Sequence, residues 1–153
     1  MKTGLLVLLL LIPRGDRPTH VDYGRSECAY CRMIMDKKEF GGEIETTSGK
    51  LLVFDAIECL AASLYRQWNI PVREVRKVWV VDYSHPGTLI PAATATFVRT
   101  SRVESPMSAD IVALPSRRAA GRMIQAPGDS LLTWSACVEF VRSLWKLPPP
   151  SRH

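Results

Sequence analysis

No apolar run in the 153-residue chain reaches the length of about 20 residues that a bilayer-spanning helix needs. The longest, Leu5–Ile12, follows a single lysine near the start. That profile fits a short secretory signal or a weak N-terminal anchor, so residues 1–13 are expected to serve export rather than the fold. The first cysteine is Cys28, too far from the run to be its lipid-bearing residue. The sequence also lacks a Gly-x-Ser-x-Gly elbow, a phosphate-cradling glycine loop and a His-Glu-x-x-His helix, so nothing in it specifies those catalytic chemistries. Three histidines, His20, His85 and His153, stand far apart with no ligand spacing. A basic stripe interleaved with aromatics is missing too. The net charge of +5 comes from scattered residues, and the densest group, Arg117, Arg118 and Arg122, reads as the wetted face of a helix. Nucleic acid is therefore not an expected partner.

What the chain does have is sulfur in one place. Cys28-Ala29-Tyr30-Cys31-Arg32-Met33-Ile34-Met35 sets two thiols and two thioethers within eight residues. Thiolate and thioether select soft ions, Cu(I) foremost, whereas Zn(II) takes thiolate and imidazole and has little use for methionine. The methionines thus discriminate more than the cysteines, since Cys-x-x-Cys alone is shared by metal sites, redox couples and disulfides. Met107, set after a proline in Ser105-Pro106-Met107-Ser108, is a further thioether in a loop. Met35 falls on Met33's face if the segment is extended, and His85 is a possible additional ligand.

Two alternatives stay open. A structural zinc module wants four ligands in a closed tetrahedron, and Cys59 and Cys137 are isolated on separate predicted helices. A thiol-disulfide oxidoreductase would use Cys28 and Cys31, but such pairs sit at a helix N-terminus after a buried strand, and the segment upstream, Asp22–Glu27, is polar.

Hydrophobic residues at 46% and charged residues at 23% mark a chain that folds, and its length suits one domain or two small halves sharing a core. Residues 14–27 read as an extended polar linker and 148–153 as a tail, leaving 28–147 as the domain. Within it, Phe40–Thr46 and Lys50–Phe54 form a hairpin around Thr47-Ser48-Gly49. Asp55, with Glu58 three residues on, reads as the cap of a helix over 56–67 whose stripe is Ile57, Leu60, Ala61, Leu64 and Trp68. Cys59 lies opposite that stripe, facing a second layer, a thiol partner or solvent. Strands are expected at 75–83, 93–99, 110–114 and 131–134, a short helix at 116–124, and a last helix capped by Ser135 and carrying Cys137, Val141 and Leu144. Gly49–Asp55 and Gly128–Ser135 repeat one pattern of glycine turn, apolar strand, aromatic and cap. Two related α+β halves, about 28–83 and 93–147, follow from it, with Cys137 in the place of the core residue Ile57.

Cys28-Ala-Tyr-Cys31-Arg-Met33, Val53-Phe54-Asp55-Ala56-Ile57-Glu58-Cys59 and Ser105-Pro106-Met107, in that order, resemble the NosL-type copper chaperones associated with nitrous oxide reductase maturation. Val81-Asp82-Tyr83, Ile90-Pro91-Ala92 and Ala95-Thr96-Phe97-Val98 resemble the family's central region. The resemblance implies two related hairpin-helix-strand halves similar to part of the organomercury lyases, and a non-enzymatic role. It implies Cu(I) held by Cys28, Cys31, Met33 and Met107 in a periplasmic or otherwise extracytoplasmic protein, often membrane-attached. The copper-accepting partner would be an exported enzyme, nitrous oxide reductase, or its assembly machinery. Arg32 and Ser108 stand where the family commonly has glycine, and the lipid-bearing cysteine frequent in the family is missing.

Overall fold

The computed structural model describes residues 21–65 and 72–148. The apolar run 1–13, linker residues 14–20, the expected helix end with Trp68 and its Asn69-Ile70-Pro71 stop, and tail residues 149–153 lie outside the described residues. The strands are β1 Gly42–Thr46, β2 Leu51–Phe54, β3 Val75–Val81, β4 Leu89–Pro91, β5 Thr96–Arg99, β6 Ile111–Leu114 and β7 Ser130–Leu132. The helices are α1 Ile57–Ser63, α2 Arg117–Gly121 and α3 Trp134–Leu144.

The fold is α+β, with two antiparallel sheets ordered β2-β1-β3-β4 and β6-β5-β7. In the first sheet β1 and β3 are the interior strands, and in the second β5 is. The β1–β2 hairpin has Gly42 opposite Phe54, and Gly49, at φ 81°, makes its turn left-handed. Gly42 lies between β3 and α1: a Cβ there would meet the Trp79 carbonyl oxygen at 2.2 Å and Leu60 Cδ1 at 2.7 Å, so only glycine lets the helix approach this closely.

One core joins the two sheets. Ile44, Phe54 and Val80 from the first, Phe97, Ile111 and Ala113 from the second, Leu60 from α1, and Cys137 and Val141 from α3 pack in one cluster. The alternate residues Val98, Val112 and Leu114 turn to the other face of the second sheet, where Phe40, Val103 and Ala120 cover them. Period-two alternation between two apolar surfaces explains why β6 is buried along its whole length. A parallel bridge between Asp82 and Ala113 ties the end of β3 to β6.

Several expectations change. The strand expected at 93–99 begins at Thr96, and the short β4 precedes it with Pro91 at its end. Proline is tolerated there because β4 is an edge strand. Trp134 is the first residue of α3 rather than the last of a strand, and the cap is Thr133, whose hydroxyl accepts from the Ala136 amide at 3.3 Å, rather than Ser135. Residues 21–27 are not an extended linker. Val21 is buried, the Gly24 amide donates to the Met35 carbonyl at 2.7 Å, and the Met35 amide donates to the Ser26 carbonyl at 2.9 Å.

Candidate metal centre

The sulfur stretch is a tight loop closed on itself. The Cys28 amide donates to the Met33 carbonyl at 2.8 Å, the Arg32 amide donates to the Cys28 carbonyl at 3.0 Å, and Glu27 bridges Ile34. Closing this turn requires Arg32 to adopt a left-handed backbone at φ 69°. Two contacts seat the loop: the Ala29 amide donates to the Val53 carbonyl at 2.8 Å, and the Tyr30 ring packs on Trp145 at the end of α3, centroids 5.9 Å apart.

The bond to Val53 brings the loop to the strand-to-helix junction after β2, and there Cys28, Cys31, Cys59 and Asp55 converge. One ligand atom from each lies within 4.8 Å of the others. Donors arranged as a tetrahedron around 2.3 Å metal–sulfur bonds stand about 3.8 Å apart, and in a trigonal plane about 4.0 Å apart, so the group has metal-site dimensions. Cys28 and Cys59 are fully buried, whereas Cys31 is partly open. Cys31 Sγ donates to Asp55 Oδ2 at 3.4 Å. The other oxygen, Asp55 Oδ1, is buried without a hydrogen-bond partner.

Asp55 is therefore not the helix cap its spacing to Glu58 suggests. Ala56 occupies the cap position of α1 and offers no side-chain bond. Glu58 is turned away as well: it is buried beneath the loop that carries Met107, where Oε1 accepts from the Ser105 hydroxyl and, at 3.1 Å, from the Ala109 amide. Consecutive residues of α1 thus serve two loops, Glu58 holding Ser105–Ala109 and Cys59 joining the thiols. Lys37 Nζ, just past the sulfur loop, also reaches the Glu104 carbonyl at 3.4 Å.

The electrostatics single out one thiol. Cys28 is held down to about 7, chiefly because the Cys59 thiol donates to it, with the Cys31 amide assisting against the opposing effect of burial. Cys31 is pushed up to about 12, by burial first and by the neighbouring Cys28 and Asp55 charges. Cys59 is raised because its proton is shared with Cys28 and because it is buried. In the metal-free group the three thiols titrate together, with Cys28 the one most favoured to ionise.

The other sequence candidates are distributed as follows. Met33 projects from the sulfur loop and is 44% exposed. Met35 is 1% exposed and belongs to the core, so the two do not share a face: the bridge at Ile34 is isolated and does not extend into a strand. Met107 is partly buried and packs against the core cluster that contains Cys28 and Cys59. His85 lies outside the thiol group, its Nδ1 hydrogen-bonded to Asp82 Oδ2 at 2.9 Å. Cys137 is buried in the core, where burial raises its pKa, and it also stands apart from the group.

Cys59 and Asp55 are the members that motif spacing passes over. Asp55, two residues before the helix begins, carries no signal of its own. A signal for Cys59 does exist, since it lies opposite the apolar stripe of α1. The helix is buried all round, so that second face is an interior surface.

Comparison with known proteins agrees with this architecture. A family model, NosL, matches residues 19–138. Among solved structures, the chain is similar to the copper chaperone NosL from Shewanella denitrificans, at 25% identity and a TM-score of 0.64, over 77% of this chain and 93% of that one. No curated protein matches.

Proposed function

Given that this chain belongs to the NosL family, we propose that it is a copper chaperone which carries Cu(I) on sulfur and hands it on without chemical conversion. The observation that supports this most directly is the convergence of Cys28, Cys31 and Cys59 with Asp55 inside 4.8 Å, in a fold shared with a protein described as a copper chaperone. Thiolates suit a soft monovalent ion that takes few ligands and needs protection from water. Met33, exposed on the same loop, and Met107, packed on the same core cluster, add thioethers of the kind Cu(I) accepts. The proposed ligand set includes Cys28, Cys31, Met33 and Met107.

A loop that closes over the ion and yet leaves Met33 in solvent suits transfer, because an incoming sulfur ligand can attack from the open side. The recipient is proposed to be an exported copper enzyme, nitrous oxide reductase, or its assembly machinery, which makes the working compartment extracytoplasmic. Among the described residues no helix is long and apolar enough to cross a membrane; attachment through the N-terminal apolar run is part of the proposal.

One observation favours a second reading, structural zinc: three thiols and a carboxylate make four donors, the closed set that zinc prefers. An anaerobic competition titration with a chromophoric Cu(I) chelator, repeated with Zn(II), separates the two. One tight Cu(I) per chain, lost in Cys28→Ser/Cys31→Ser and accompanied by weak Zn(II), is the expected outcome. Tight Zn(II) with weak Cu(I) would turn the assignment to zinc. Tight binding of neither ion would leave a thiol-disulfide couple, to be pursued through its reduction potential.

A further inference from the structure

We infer that Cys59 is itself a ligand of the copper ion, forming with Cys28 the buried floor of a three-thiolate site in which Cys31 is the outer ligand. The inference rests on the copper-carrier reading above and extends it beyond the Cys-x-x-Cys-x-Met loop to a residue fixed on a helix.

Three observations carry it. The Sγ atoms of Cys28, Cys31 and Cys59 lie within 4.8 Å of one another, and three thiolates about 2.3 Å from one ion stand about 4.0 Å apart in a trigonal plane, so small side-chain adjustments suffice. The thiols are also graded in depth: Cys28 and Cys59 have no exposed surface, Cys31 is partly open, and Met33 beyond it projects into solvent. An ion entering past Met33 and Cys31 reaches Cys28 and Cys59 last. Finally, burial alone does not place a helical cysteine in this group, because Cys137 is just as buried and lies outside it. Asp55 is a hard oxygen donor that Cu(I) disfavours. It remains beside the site as the acceptor of the Cys31 S–H in the metal-free form.

A site with one ligand on α1 and two on a loop differs in kind from a loop-only site. Cys59 does not move with the loop, so it holds the ion while Cys31 is exchanged for a partner's ligand, and Cys31 becomes the point of entry and release.

The test uses the full chain loaded with Cu(I) under anaerobic conditions, in the wild type, Cys59→Ser and Cys137→Ala. Folding is verified by circular dichroism, with Cys59→Ala replacing Cys59→Ser if the serine does not fold. Cys59→Ser is expected to bind Cu(I) at least about tenfold more weakly, equivalent to ~1.4 kcal/mol, and to show one sulfur donor fewer in copper K-edge absorption; Cys137→Ala is expected to match the wild type. A wild-type spectrum with only two sulfur donors would overturn the assignment; with three or more, the donor lost in Cys59→Ser is what distinguishes Cys59 from the Met33 and Met107 thioethers. Unchanged affinity and sulfur count in Cys59→Ser would overturn the role of Cys59 while leaving the copper carrier standing. A wild type that takes up no Cu(I) would overturn both.

Discussion

Arg32 and Ser108 hold left-handed backbone at φ 69° and 58°, and each adjoins a methionine in a loop, Met33 and Met107. A side chain in that region costs about 1–2 kcal/mol through the clash of its Cβ with the following carbonyl. Glycine escapes the clash but adds freedom to the unfolded chain worth roughly 0.4–1 kcal/mol. Arg32→Gly and Ser108→Gly are each expected to stabilise the protein by about 0.5–1 kcal/mol net, read as a higher urea midpoint with unchanged slope, whereas Arg32→Ala should give no gain. The family resemblance had marked both positions as places where glycine is common. The backbone dihedrals supply the physical reason, which no feature of this single sequence exposes.

At the scale of an element, α1 is the short helix on which the candidate site depends. Its apolar positions were legible from their spacing, but the part played by its polar residues was not. Glu58 is raised above the ordinary carboxylate range, mainly by burial, so the folded state binds its proton more tightly than the unfolded chain does. Its contribution to stability is then fully present below the ordinary glutamate value of about 4.3 and declines as pH rises from there toward the raised value. Glu58→Gln, which keeps an acceptor for Ser105 and Ala109, is expected to flatten that decline in unfolding curves taken between pH 4 and pH 8. Glu58→Ala strands a buried hydroxyl and a buried amide and should cost about 1–3 kcal/mol for each. It should also loosen the Met107 loop, seen as faster amide exchange at Ala109. Equal pH slopes in the wild type and Glu58→Gln would show that the carboxylate keeps its ordinary affinity for protons.

At the scale of the whole molecule the two halves are not independent. Helices α1 and α3 pack against each other, and one cluster draws residues from both sheets and both helices. Removing either half would expose the apolar face of the other, so a single cooperative transition is expected. Far-ultraviolet circular dichroism and tryptophan fluorescence, with Trp79 in the first half and Trp134 and Trp145 in the second, should unfold at the same urea midpoint. Separated midpoints would mean that each sheet holds its own core.

Much of this protein was determined by sequence alone because much of it rests on local chemistry. Alternating apolar residues and glycine turns specify the β1–β2 hairpin, β3 and β6, and helical spacing specifies α1 and α3. The soft donors of Cys28–Met35 carry the expectation of a soft ion on which the proposed function rests. Tertiary structure decided which donors meet. The loop and α1 lie far apart along the chain, and the Ala29-to-Val53 hydrogen bond brings Cys28 and Cys31 over Cys59 and Asp55. It also decided that Met35 turns inward while Met33 remains outside. Spacing within a segment sets which side chains share a face, but only packing between segments sets what that face encounters, and a metal centre assembled from a loop and a helix depends on the second.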